Sequence, residues 1–274
     1  LNRKLLNSGA DIREINTVRK HLSKIKGGNF LKMSFPAKVH SFILSDVIGD
    51  DLSSISSGPT VPDETSFNDA KKILIKYNLW NGIHKSIKAH IELGILDKSF
   101  ETPDKTNKVF LNVENTLIGS NSLCLKSIYS FCEKKNINSK IWKTNIEGDV
   151  QDIAKNFVRD LKKKNYKKPI ILISGGESTV KIKGNGKGGR NQEFALHFIK
   201  NIRNYLSNLK FTLLSAGTDG RDGPTNAAGA IVNDKSMDLI KNKNINLNKE
   251  LENNNSYQVL KKINSLVIIN GTNT

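Results

Sequence analysis

The chain has 274 residues, 37% hydrophobic and 25% charged, enough for one large domain or two ordinary ones around a sizeable core. Its two cysteines, Cys124 and Cys132, fall on one expected helix, which excludes a disulfide-stapled miniprotein and fits a reducing compartment such as the cytoplasm. No apolar run approaches the roughly 18 residues of a membrane span, and no charged-then-apolar leader is visible. The formal charge of +17 invites a nucleic-acid partner, but only seven of the 43 basic residues are arginine and the lysines are scattered. Arginine is the better residue for bidentate phosphate and base contacts, so the composition argues against a specific nucleic-acid surface. The chain starts at Leu1 within a helical pattern and stops just after a strand-like run. It therefore reads as a fragment of a longer protein.

Strand and helix patterns alternate, which predicts an α/β architecture. Residues 1–8 form a helix tail closed by Gly9. Asp11 caps a helix through Glu14, Val18 and Leu22, ended by the glycine pair 27–28. Residues 39–45 (VHSFILS) make a short buried strand, followed by the acidic run 46–51 and an irregular stretch to Pro62. Helices follow over 67–77 and 83–93. The polar segment 100–108 (FETPDKTNK) marks a domain boundary, placed between residues 103 and 104. Beyond it come a strand at 109–113, a helix at 120–135, a strand at 140–144 and a helix at 149–163. A strand at 169–174 turns at Gly175 and Gly176 into a second strand at 178–183. A helix over 191–205 carries Phe194, Phe198, Ile199, Ile202 and Leu206 on one face. A strand at 211–215, short helices at 236–241 and 256–262, a polar linker at 242–255 and a strand at 266–270 complete the order.

In open α/β sheets ligands bind at the carboxyl ends of strands, so the strand-then-loop segments are the candidates. Ser174, Gly175, Gly176 and Glu177 offer free N–H groups for an anion, or form a tight turn between strands. GNGKGGRNQE (184–193) leads glycines into a helix start, a ready anion site. There Arg190 is a cation where a helix prefers an acid, which fits a phosphate clamp. Gly186, Gly188 and Gly189 would allow close backbone approach, and Asn191 opens the helix. The spacing Gly184-x-Gly186-x-x-Gly189 matches a dinucleotide fingerprint, but the acidic residue expected about 20 positions on is missing. Asp219 and Asp222, each followed by glycine after a buried strand, can hold Mg²⁺, take a proton from a hydroxyl, or simply form turns. Asp46 leads three carboxylates after the first strand. Asn16, Arg19 and Ser23 share a helix face that can bind a carboxylate or phosphate, or be solvated. His21 beside them is read as a surface residue. The two cysteines are too few for a zinc cluster.

Six segments in order together resemble the class II glycerate 2-kinases, the MOFRL family, many of whose members carry the name hydroxypyruvate reductase. They are NTVRKHLSKIKGG (16–28), LSDVIGD (44–50), SGPT (57–60), SGGE (174–177), GGRNQE (188–193) and GTDGRDGPT (217–225). The resemblance implies two α/β domains: residues 1–103 as the C-terminal part of a Rossmann-like domain, and 104–274 as a MOFRL-type domain with a mixed sheet, truncated at its end. It implies transfer of a phosphoryl group from ATP, with Mg²⁺, to the 2-hydroxyl of D-glycerate, in a cleft between the domains. Arg190 would neutralise the transferring phosphate, with Gly186, Gly188 and Gly189 admitting it. Asp219 and Asp222 would hold Mg²⁺ or orient the hydroxyl. Asn16, Arg19 and Asp46 would face the substrate. A Gly-Ala-Gly-Lys loop with a catalytic lysine is expected upstream of Leu1, so this chain alone is expected to lack activity. The alternatives are an NAD(P)H-dependent hydroxypyruvate reductase and a basic nucleic-acid-binding module.

Overall fold

The first unit, Leu1–Asn121, opens with helix α1 (Asn2–Asn7), closed where Gly9 takes a φ of +81°. The structure is a computed structural model that describes residues 1–164, 166–205 and 209–272. Asp11 and Glu14 form a reciprocal capping box, Glu14 N to Asp11 Oδ1 at 2.8 Å and Asp11 N to Glu14 Oε2 at 3.1 Å, which starts α2 (Ile12–His21). The helix stops before the glycine pair because Ser23 Oγ accepts from Ile25 N and Lys26 N, each at 3.3 Å. Gly28 leads into α3 (Asn29–Ser34), a helix too short to show a period. Strand β1 (Val39–Leu44) alternates half-buried and exposed positions instead of being buried throughout. Ser66 caps α4 (Phe67–Lys76), and α5 (Lys85–Leu96) follows. Residues 108–112 form a 3₁₀ turn, so the next strand, β2 (Val113–Gly119), starts later than expected. It runs parallel to β1, with Val39 opposite Val113. That pairing carries the first unit to Asn121, where a boundary at residue 103 had been expected. Leu5, Ile15, Val18, Phe67, Leu74 and Ile91 form its core.

The second unit, Ser122–Thr274, is built from α6 (Asn121–Lys134), β3 (Ser139–Asp149), α7 (Val150–Lys163), β4 (Ile171–Thr179), α8 (Arg190–Tyr205), β5 (Thr212–Ala216), β6 (Gly229–Asn233), α9 (Ser236–Asn242), α10 (Leu247–Glu252), α11 (Ser256–Lys262) and β7 (Leu266–Val267). Strands β3 and β4 pair in parallel, while β5-β6-β7 form a separate antiparallel sheet. The expected turn at the 175–176 glycines is the interior of one continuous strand. Gly176, at φ +147°, lies so close to β3 that an added Cβ would sit 2.2 Å from Ile146 N. Strand β6 and helix α10 were not foreseen, and α10 lies inside the segment read as a linker. The apolar face of α8 enters the core as expected through Phe198, Ile199 and Ile202, alongside Val232, Ile240 and Leu260. Leu206 and residues 273–274 lie outside the described residues. No described helix is long and apolar enough to cross a membrane.

Candidate functional site

The glycine track before α8 is held by three consecutive asparagines from the segment after α10. Asn254 Oδ1 accepts from Lys183 N at 2.7 Å and Gly184 N at 3.1 Å. Asn253 Oδ1 takes Asn185 N at 3.0 Å, and the Asn253 carbonyl takes Gly186 N at 2.8 Å. Asn255 Oδ1 takes Lys187 N at 3.3 Å. The glycines are required by this mould. A Cβ at Gly186 would lie 2.3 Å from Asn253 O, at Gly188 2.0 Å from Ser256 Oγ, and at Gly189 2.3 Å from Asp222 Cγ. The expected anion cradle is therefore partly consumed: Gly186 N faces a carbonyl, and Gly188 and Gly189 are small so that neighbours can approach.

The anion at the α8 N-terminus belongs to the protein itself. Asp222 is 2% exposed. Its Oδ1 accepts from Asn191 N at 3.0 Å and Asn191 Nδ2 at 3.1 Å, and its Oδ2 from Gln192 N at 2.9 Å and Gln192 Nε2 at 3.0 Å. A carboxylate there satisfies orphan N–H groups and meets the positive end of the helix dipole. With both oxygens engaged by four donors, Asp222 caps α8, where the sequence had offered it as a metal ligand. Asn191 is tied to the same junction, its Oδ1 accepting from Ser215 Oγ at 2.9 Å.

Arg190 and Asp219 keep chemical freedom. Arg190 is half-buried, and its Nη1 donates to Glu177 Oε1 at 2.8 Å. Glu177 and Ser174 are exposed positions within β4, with Gly175 and Gly176 between them, so this quartet is part of a strand and not a loop around an anion. Only Glu177 of the four reaches the Arg190 guanidinium. Asp219 is exposed on the loop after β5, where its Oδ1 accepts from Arg221 N at 3.0 Å. Thr272 secures the same loop, its N donating to Asp219 O at 3.1 Å and its Oγ1 to Thr218 O at 2.8 Å. Among the described residues no group of three or more His, Cys, Asp or Glu is placed to hold a metal. A single exposed carboxylate still suits Mg²⁺, which keeps several waters and takes one or two carboxylates plus phosphate oxygens.

In the first unit the predicted trio separates. Asn16 is 4% exposed. It accepts from Ser57 Oγ at 2.8 Å and donates to Ser54 O at 3.4 Å, so it braces a loop in which Ser56 and Ser57 adopt left-handed φ of 52° and 61°. In this arrangement it supports the serine loop. Arg19 lines a surface cavity of about 340 Å³ together with Leu22, Ser23 and Lys26. Asp46 is exposed just beyond β1. His21, expected at the surface, is buried. Its Nδ1 lies 2.8 Å from Thr17 O and its Nε2 2.9 Å from Glu101 Oε1. Beside it Lys20 pairs with buried Asp63 at 3.2 Å, and Thr102 Oγ1 donates to Asp63 at 3.1 Å. These partners are about 40 and 80 residues away in sequence, a separation no local pattern encodes.

The MOFRL family model matches residues 170–274, and a domain of unknown function (DUF4147) matches residues 1–92. The chain is 41% identical to a glycerate 2-kinase of Pyrococcus horikoshii, over 98% of this chain and 61% of that protein. It is 34% identical to a glycerate kinase of Macaca fascicularis, over 85% of this chain and 68% of the relative. A crystal structure of a glycerate kinase from Thermotoga maritima superposes with a TM-score of 0.86 at 39% identity, covering 100% of this chain and 63% of that one. The chain thus spans about six tenths of the length of the prokaryotic relatives.

Proposed function

Since the chain belongs to the glycerate kinase family, we propose that it contributes to phosphoryl transfer from ATP to the 2-hydroxyl of D-glycerate, as a cytoplasmic enzyme. The observation that carries this reading is Arg190: a guanidinium held at the start of α8 whose recorded partner, Glu177, is exposed and exchangeable. Transfer of a phosphoryl group needs positioning and charge neutralisation more than covalent chemistry. Only Nη1 of Arg190 is engaged by Glu177, so the fork keeps donors for the oxygens of a transferring phosphate. The Asp222 cap fixes where that guanidinium starts.

Asp219 is the carboxylate that fits Mg²⁺. When bound with ATP, the ion supplies charge neutralisation at the phosphates. Asp222 drops out of that role. In the first unit Arg19 is proposed to hold the acceptor's carboxylate and Asp46 to accept the proton of its hydroxyl, while Asn16 keeps the serine loop in shape.

The test is product identity. With D-glycerate and Mg-ATP the enzyme containing this chain should yield ADP and 2-phosphoglycerate by phosphorus NMR. Arg190→Met should lower kcat by roughly 10²- to 10³-fold with unchanged folding. Oxidation of NAD(P)H by hydroxypyruvate with no phosphoglycerate formed would replace the kinase by a reductase.

A further inference from the structure

One side-chain amide holds both ends of the glycine track. Asn254 Oδ1 accepts from Lys183 N and Gly184 N, where the track begins. Its Nδ2 donates to Lys181 O at 3.2 Å, and to Glu193 Oε2 at 3.2 Å and Oε1 at 3.3 Å, in the first turn of α8 where the track ends. A carboxamide has two lone pairs on oxygen and two protons on nitrogen, so Asn254 is fully used. Its orientation is fixed as well. Glu193 is 6% exposed, and an ionised carboxylate only accepts, so Nδ2 must face it and Oδ1 must face the N–H groups of 183 and 184. The other neighbour of Glu193, His197 Nε2, stands at 3.9 Å, beyond hydrogen-bond length.

The backbone at 254 narrows the choice of residue. Its φ of 53° is left-handed, a region that asparagine and aspartate adopt more readily than other residues with a Cβ. Between the two ties lie Gly188, Gly189 and Arg190. The three asparagines take the N–H groups of 183 to 187, and Asp222 takes those of 191 and 192. Among the described residues no acceptor reaches the N–H groups of 188 to 190. The donors still open on the track are therefore the ones next to the Arg190 guanidinium.

We infer that Asn254 is a positioning residue for phosphoryl transfer. By joining residues 183 and 184 to Glu193 through one amide, it sets where Arg190 and the N–H groups beside it stand toward the transferring phosphate. The inference rests on the kinase reading and deepens it, adding Asn254 and its buried partner Glu193, neither of which touches substrate. Asn254 acts through Arg190, so its loss costs activity only while the guanidinium is there to be placed.

The experiment is a double-mutant cycle on the enzyme containing this chain, with ADP formation from Mg-ATP and D-glycerate measured as kcat and folding checked by thermal melting. Asn254→Gly suits the left-handed backbone and removes only the amide. A displacement of about 1 Å at a reacting group costs on the order of 10²-fold in rate, so Asn254→Gly should lower kcat about 10- to 100-fold with the KM for D-glycerate unchanged. In the Arg190→Met background the same change should cost less than about threefold. Asn254→Asp, which sets a second carboxylate against Glu193, should lose as much as Asn254→Gly. Combining it with Glu193→Gln, which returns a donor to face that carboxylate, should recover most of the loss; this exchanged pair keeps side-chain volume and decides the matter where Asn254→Gly does not fold. An unchanged kcat in Asn254→Gly, equal losses in the wild-type and Arg190→Met backgrounds, or no recovery in the exchanged pair overturns the inference and leaves the kinase reading intact. A wild-type enzyme that forms no 2-phosphoglycerate overturns both.

Discussion

At Glu14 three roles fall on one side chain. It completes the cap of α2, accepts from Tyr77 Oη at 2.6 Å and pairs with Lys76 Nζ at 2.5 Å. The hydrogen bond from Lys76, then that from Tyr77, hold its carboxyl at about 2, down from 4.5. A carboxyl depressed in the folded state stabilises it fully above the unfolded value and loses that contribution as pH falls toward the folded one. Urea melts should therefore show Glu14→Gln less stable than wild type at neutral pH, with the gap closing between about pH 4.5 and 2. Asp222 is tested differently. As a buried cap serving four donors, its change to Ala should destabilise the protein by roughly 3 kcal/mol in metal-free buffer. Loss that appears only when Mg²⁺ is present would return Asp222 to the metal. The sequence singled out Asp222 but not its role, and passed over Glu14 as one position along a helix. An aspartate in a Gly-rich loop looks the same whether it faces an ion or a helix end 30 residues away.

At the scale of elements, the long amphipathic helices were legible: α2, α4, α7 and α8 fall within a few residues of expectation because cap and periodicity agree. Short elements were not. Helix α10 and strand β6 hold too few residues to show a period, and β4 was cut in two because glycines inside a strand look like a turn. The glycine track was singled out for a ligand, and its mould of asparagines was filed as linker. That contact can be measured. Gly188→Ala should destabilise by about 1–3 kcal/mol through its clash with Ser256 Oγ. Ser256→Ala should rescue part of the loss in a double-mutant cycle, and strict additivity would mean the two do not meet.

For the whole molecule, the placement of single arginines is more specific information than the net charge of +17. Of the seven arginines, Arg19 lines a cavity and Arg190 starts a helix beside a buried carboxylate cap. The α/β class was readable from alternation. The boundary was expected at the polar segment 100–108, whereas the first compact unit runs to Asn121 because β2 pairs with β1 about 70 residues upstream. The order of six short motifs carried the family likeness further than any single motif, and the buried Lys20–Asp63–His21–Glu101 network left no trace in composition or spacing.

The asparagine clasp has a consequence for biosynthesis. Its bonds join residues 68 to 73 positions apart, so a nascent chain that has emerged only as far as α10 has nothing against which to set residues 183–187. The stretch 183–187 is thereby among the last in its half to acquire a shape during translation, and a ribosome stalled before Asn253 would leave it unheld although Asp222 already caps the helix that follows.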